Sequence, residues 1–194
     1  MAHPAVCDRG AHRRRECGPA GRVRTDVGGR ISEHGFLADG RNAVLMDRAG
    51  SVNWWCPARF DAPSVFGRLL DDDAGHWVIQ PDGDFTCERA YLDDTLVLRT
   101  VFTTRDGSVA VTDALALEPG ARGHHLGLRS PRLLSLLVQG LSGEVPIRLE
   151  YRPRFKYGLV TAYLTERPDG GLGGHRGSGS ADTAQQRAAA RRRR

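Results

Sequence analysis

The chain has 194 residues and a formal net charge of +5, and this length predicts one domain with room for extensions at either end. Residues 1–30 and 164–194 each carry seven Arg and three acidic residues, whereas residues 31–163 carry 14 basic and 17 acidic residues. The centre is therefore mildly acidic, which argues against a domain that binds nucleic acid through a basic face. A basic arm within residues 1–30 is the remaining nucleic-acid hypothesis.

The cysteines and the hydropathy pattern favour a cytoplasmic chain. Cysteines stand at positions 7, 17, 56 and 87 without a Cys-x-x-Cys pair, so we expect neither a disulfide framework nor a zinc site. Cys56 is predicted to be a small buried apolar residue. No apolar stretch reaches membrane-spanning length, and no signal-peptide core follows the N-terminal Arg residues. We therefore expect no membrane partner.

Residues 1–30 lack periodicity and predict a disordered basic tail, and a β pattern begins at Ile31. Two short apolar runs, Ala43–Met46 and Val52–Trp55, flank a Gly-containing turn and predict a β-hairpin. Trp54 and Trp55 should point to opposite faces of their strand. The next turn, with Pro63, predicts a short helix over Val65–Leu70.

Later segments alternate apolar runs with Gly, Pro and Asp turns. This spacing predicts an antiparallel β-sandwich with one short helix over residues 31–164. A low-complexity Gly/Ala/Arg tail follows over residues 165–194. The further predicted strands are His76–Gln80, Phe85–Leu92, Thr95–Thr103, Val109–Asp113, Leu133–Gly140, Glu144–Tyr151 and Phe155–Leu164.

A series of landmarks over residues 31–160 resembles the N-terminal domain of bacterial glycoside hydrolase family 15 proteins, the glucoamylase and trehalase-like group. The resemblance implies the β-sandwich that precedes the catalytic barrel in these hydrolases. The landmarks, in family order, are His34–Ala43, the hairpin, Arg59–Phe66, Gly75–Trp77, Tyr91–Leu98, Val111–Leu115, Val138–Gly143 and Arg152–Gly158.

The resemblance also implies where the chemistry lies. Family 15 enzymes are inverting α-glycosidases, whose two catalytic glutamates stand on an (α/α)₆ barrel after the β-sandwich. We expect this chain to end before the barrel, as in a truncated or frame-shifted form, and to be inactive alone. No residue inherits a catalytic role, and the implied partners are the barrel and an α-glucoside.

Trp54, Arg59 and Asp61 are the candidate residues for a substrate cleft. Aromatic faces can stack on sugar rings, and Arg–carboxylate pairs can hold hydroxyl groups. The functional hypothesis is that loop 55–64 projects toward the barrel and shapes its substrate end. In the structural alternative, Trp54 and Phe60 belong to the core, while Arg59 and Asp61 form an ion pair and a cap.

Other candidate sites have simpler explanations. The acidic groups Asp71–Asp73 and Asp93–Asp94 are predicted to be solvated turn residues. The adjacent His124 and His125 lack a second ligand pair, and no glycine cluster matches a phosphate-binding or dinucleotide motif, so we expect no metal and no cofactor. A free-standing carbohydrate-binding module that uses Trp54 or Trp77 as its platform is the alternative function.

Overall fold

The computed structural model describes residues 31–168, together with the backbone of three short strands at 15–16, 172–176 and 189–191. The predicted tails at 1–30 and 165–194 therefore lie largely outside the described residues. Within the described part, no helix is long and apolar enough to cross a membrane.

Fourteen strands, numbered in chain order, form three sheets in the described residues. All pairings are antiparallel except that between β14 and β9. The first sheet contains, in spatial order, β1 (Arg15–Glu16), β6 (Thr86–Tyr91), β7 (Leu98–Thr103), β8 (Gly107–Leu115), β9 (Leu134–Gly143) and β14 (Ala189–Arg191). The second contains β10 (Ile147–Arg152), β5 (His76–Pro81), β4 (Val52–Trp55), β3 (Ala43–Met46) and β2 (Gly35–Ala38). The third contains β11 (Arg154–Phe155), β12 (Val160–Glu166) and β13 (Leu172–Arg176).

One apolar core joins the first and second sheets. Alternate residues of β7 are buried, with Leu98 and Phe102 facing the same cluster as Val44 and Trp55 of the second sheet. A single cluster between two antiparallel sheets is the defining feature of a sandwich, so the predicted fold class is confirmed.

A bulge in the hairpin decides which tryptophan reaches this core. Leu45 pairs with Trp54 and Met46 pairs with Val52, which leaves Asn53 as an extra residue on β4. Because of this extra residue, Val52 and Trp55 both face the core although they are three positions apart. Trp54 is left on the outer face of the second sheet.

The predicted helix over Val65–Leu70 is wrong. Val65 donates its backbone N–H to the carbonyl of Trp55 at 2.9 Å, and Trp55 donates to the carbonyl of Phe66 at 3.2 Å. Leu69 in turn donates to the carbonyl of Asn53 at 3.1 Å. The backbone groups that a helix would need instead bond to β4 of the same chain. Local sequence signals do not predict this pairing. The helical turns in the described residues are two 3₁₀ turns, Ile31–Glu33 and Gly123–His125.

The cysteines differ from the expectation at one position. Cys87 is disulfide-bonded, and its partner lies outside the described residues. Cys56 is free and buried, as predicted, and burial raises the pKa of its thiol to about 11. The disulfide removes one argument for a reducing compartment, and a cytoplasmic location stays a prediction.

Candidate functional site

Trp54 stacks on an aromatic ring that sequence reasoning did not select. Its indole lies 5.9 Å from the ring of Tyr157, centroid to centroid, with 27° between the planes. Tyr157 comes from the turn between β11 and β12 and is 42% exposed, while Trp54 is half-buried. We call Trp54 and Tyr157 the outer aromatic pair.

The turn that carries Tyr157 has an unusual backbone. Lys156, Tyr157 and Gly158 have φ values of 53°, 60° and 94°, all in the left-handed region. This conformation costs a residue with a side chain roughly 1–2 kcal/mol, so the surroundings must hold it in place. Gly158 is pressed against Ala74, since a Cβ at position 158 would lie 2.8 Å from the Ala74 Cβ.

Arg59 and Asp61 form a two-pronged pair at the tip of the loop that follows β4. Nε and Nη2 of Arg59 donate to Oδ1 and Oδ2 of Asp61 at 2.9 and 3.1 Å. Their side chains are 67% and 70% exposed. An ion pair this exposed contributes little to stability, and no helix follows for Asp61 to cap.

Phe60, between these two residues, is 58% exposed, so the structural alternative that placed it in the core is wrong. The loop nevertheless has fixed ends. The Trp55–Phe66 bridge closes it, and Arg154 donates its backbone N–H to the carbonyl of Val65 at 2.9 Å. Tyr157 donates its hydroxyl to the carbonyl of Ala62 at 3.3 Å. The structure thus brings Trp54 and Tyr157 together, and Tyr157 contacts the loop that carries the Arg59–Asp61 pair.

A buried carboxylate ties the start of the hairpin to the long loop before β9. Asp39 accepts backbone N–H bonds from Arg41 and Asn42 at 2.8 and 2.6 Å, the Asn42 side-chain amide at 2.9 Å, and the hydroxyl of Ser130. Burial alone would raise the pKa of Asp39, but these bonds outweigh it and lower the pKa. Sequence reasoning missed this network, whose local signal is the Asp-Gly-Arg-Asn turn between two strands.

A second buried carboxyl lies inside the sandwich. Asp113 on β8 is fully buried, and neither of its side-chain oxygens has a hydrogen-bond partner in the described part of the chain. Burial raises its pKa to about 8. The hydroxyl of Thr100, also buried and unpartnered, belongs to the residue opposite Val111, two positions along β8. Both groups therefore face the interior as diagonal neighbours.

The other candidates are either buried in the core or exposed beside or within turns. Trp77 is 2% exposed and packs on Phe66 and Tyr151, so it cannot serve as a carbohydrate platform and that prediction is wrong. The acidic runs 71–73 and 93–94 are exposed beside or within turns, and residues 124–125 lie in an exposed 3₁₀ turn. No group of three or more metal-binding side chains occurs among the described residues.

Comparison with known proteins finds matches over most of the chain. The family described as "Trehalase-like, N-terminal" matches residues 23–182. The chain is 36% identical over 145 residues to a trehalase of Mycolicibacterium smegmatis, which covers 68% of the chain and 21% of that protein. It is 34% identical over 137 residues to a trehalase of Mycobacterium tuberculosis, covering 66% of the chain and 20% of that protein.

An archaeal trehalase matches a similar share of the chain. Trehalase 1 of Sulfolobus acidocaldarius is 32% identical over 137 residues, which covers 70% of the chain and 22% of that protein. No solved structure shows significant similarity to the chain. The chain spans about a fifth of the length of these curated relatives. From its β-sandwich and from the family match over most of its length, the chain belongs to the trehalase-like N-terminal domain family.

Proposed function

We propose that this chain is the non-catalytic N-terminal domain of a trehalose-hydrolysing enzyme of glycoside hydrolase family 15. In this proposal the domain packs on an (α/α)₆ barrel and shapes its substrate cleft. Support comes from the relatives, which are named trehalases and which the chain matches over about a fifth of their length. The catalytic groups would lie in the remaining part of such an enzyme.

The carboxyl groups of the domain fit an accessory role. An inverting glycosidase needs a general acid and a general base about 6.5–9.5 Å apart on opposite faces of the sugar. Asp39 uses its oxygens in internal hydrogen bonds, and Asp113 is enclosed in the core. Asp61 is paired with Arg59 and exposed. None of these three has the setting of a catalytic acid beside a second free carboxylate.

The observation that carries the proposal is the exposed Arg59–Asp61 pair on a loop whose two ends are fixed. The pair gains little stability for the domain, yet it has spare donors and acceptors for sugar hydroxyl groups. Two-pronged guanidinium–carboxylate geometry also keeps those groups in a defined orientation. Such an arrangement suits a loop that completes a cleft on a neighbouring domain.

Exposed apolar side chains supply a surface for the packing. Ile147 and Leu149 share one face of β10, which is an edge strand of the second sheet, and Leu149 is 51% exposed. Leu159 and Tyr163 are 84% and 66% exposed. Exposed apolar groups beside an unpaired edge are typical of a surface that another domain covers.

The test is trehalose hydrolysis by three samples: the full chain, the separately expressed remainder of the M. smegmatis trehalase, and their mixture. We expect no activity from the chain and a gain on mixing. A double variant, Leu149→Glu with Leu159→Glu, should lose the gain while its unfolding midpoint is retained. Hydrolysis by the chain alone, or no gain on mixing in both trehalose and maltose assays, would overturn the proposal.

A free-standing carbohydrate-binding module remains the second candidate, and the outer aromatic pair favours it. The pair offers partly exposed rings that need no barrel. Titration of the chain with trehalose and maltose by calorimetry separates the two functions. Binding by the chain alone, without a gain on mixing, would favour the module.

A further inference from the structure

We infer that Tyr157 is a specificity-determining residue of the same cleft, where it and Trp54 form the aromatic wall that receives a glucosyl ring of an α-linked disaccharide. The inference rests on the proposed function and adds a residue from a different segment of the chain. Trp54 lies on the hairpin, whereas Tyr157 lies about 100 residues later in the strained turn.

The strained turn presents this ring at the surface rather than filling the core. Phe155, two residues earlier, is 6% exposed and belongs to the core cluster, whereas Tyr157 is 42% exposed. Two consecutive residues with side chains in the left-handed region are costly, and such strain is found where function requires a fixed side-chain position. The turn at 156–158 thus holds an aromatic ring outward over Trp54.

The Tyr157 ring is hydrogen-bonded to the loop that carries Arg59 and Asp61. The Tyr157 hydroxyl lies 3.3 Å from the carbonyl of Ala62, the residue directly after Asp61. The N–H of Ala62 in turn donates to the carbonyl of Arg59 at 3.1 Å. A sugar has an apolar C–H face and a rim of hydroxyl groups, so it matches an aromatic ring bonded to a loop that also carries a guanidinium–carboxylate pair. Small-ligand sites commonly combine aromatic walls with a few placed polar groups.

The alternative is that Tyr157 only covers Trp54. A covering role requires the ring for folding, whereas a binding role requires it for substrate affinity. Tyr157→Phe keeps the ring and removes the hydroxyl bond to Ala62, and Tyr157→Ala removes both. Tyr91, which is 43% exposed on β6 of the first sheet and donates its hydroxyl to the carbonyl of Phe36 at 3.0 Å, offers a matched control of the same residue type.

The experiment measures KM and kcat for trehalose in the mixture of the full chain with the remainder of the M. smegmatis trehalase. We expect Tyr157→Ala to raise KM about fivefold, the usual range for one aromatic contact, with kcat retained. Tyr157→Phe should keep KM within about twofold, and Tyr91→Ala should change neither constant. If Tyr157→Ala fails to fold, Tyr157→Leu, which keeps apolar bulk without an aromatic face, answers the same question.

The outcomes separate the two proposals. If Tyr157→Ala keeps the activity gain with an unchanged KM, or lowers kcat alone, this inference is overturned and the proposed function stands. The same KM rise in the Tyr91→Ala control would also overturn it, because the effect would not be specific to the turn. No gain on mixing with the wild-type chain would overturn both proposals.

Discussion

The two faces of the β3–β4 hairpin carry aromatic clusters with opposite properties. On the inner face, Trp55, Phe66, Trp77 and Tyr151 form a chain of ring contacts with centroids 5.5 to 6.5 Å apart, and the first three are at most 2% exposed. On the outer face, Trp54 stacks on one ring among the described residues, that of the half-exposed Tyr157. The bulge at Asn53 turns Trp55 toward the inner face and leaves Trp54 on the outer face.

This difference assigns stability to the inner face and leaves binding as the proposed role of the outer face. The inner rings bury most of their surface, and such burial stabilises a domain by several kcal/mol. The outer pair keeps ring surface exposed, its Tyr157 lies in a strained turn, and that tyrosine contacts a loop with an exposed ion pair, none of which favours folding. Substitutions on the two faces should therefore change different measured quantities.

The largest expected effect on stability is at Phe66. Phe66→Ala removes a fully buried ring in contact with three others, and we expect the free energy of unfolding to fall by about 3–5 kcal/mol. Urea unfolding followed by tryptophan fluorescence measures this change. Phe60→Ala, at a 58% exposed ring of the same type, should stay within about 0.5 kcal/mol. Equal losses at the two positions would contradict the assignment of the faces.

The next effect is a pH dependence from Asp113. Its folded-state pKa, about 8, exceeds that of an unfolded aspartate, so the folded chain holds a proton that the unfolded chain releases. Stability from this group is present at low pH and falls as pH rises toward 8, by on the order of 3 kcal/mol between pH 5.5 and 8. Asp113 pairs across the sheet with Leu98 and Leu136, and Thr100 is its diagonal neighbour. No charged group therefore faces the Asp113 carboxyl from β7 or β9.

Asp113→Asn is the matched variant, because it keeps the shape and removes the titration. We expect its urea midpoint to vary less with pH over this window than that of the wild-type chain. Below about pH 5 the lowered pKa of Asp39 acts in the opposite direction, since protonation of Asp39 removes stability there. Identical pH profiles for the variant and the wild type would show that Asp113 does not hold the proton.

A smaller effect is expected at Asp39. Asp39→Ala leaves the buried Asn42 side chain and two backbone N–H groups without their acceptor, which should cost about 2 kcal/mol. Thermal unfolding measures the loss. Asp61→Ala is the control, because its carboxylate is 70% exposed, and we expect a change below about 0.5 kcal/mol. A neutral result at Asp39 would mean that its network does not join the hairpin to the loop before β9.

The periodic parts of the fold could be predicted from the sequence, and the long-range parts could not. Alternation and turn residues placed the hairpin and the strand of Leu98–Thr103, because both depend on local pattern. The helix predicted after Pro63 failed because its backbone groups pair with Trp55 on the preceding strand and with Arg154, which is far away in sequence. The bulge at Asn53 had no local signal, since it follows from the pairing of β4 with β3.

The candidate site could likewise be predicted only in part. Trp54, Arg59 and Asp61 could be proposed from residue type and position, whereas Tyr157 could not. Its left-handed backbone and its contact with Trp54 exist only once β11 and β12 are packed beside the loop.

The most direct test of the central proposal, that the outer aromatic pair and the adjoining loop with Arg59 serve binding, is the effect of Arg59→Ala on two quantities. One is the free energy of unfolding of the full chain, and the other is KM for trehalose in the mixture with the remainder of the M. smegmatis trehalase. We predict a stability change below about 0.5 kcal/mol, because the ion pair is exposed, together with a rise in KM of roughly tenfold. An unchanged KM, or a stability loss above about 1.5 kcal/mol, would contradict the account.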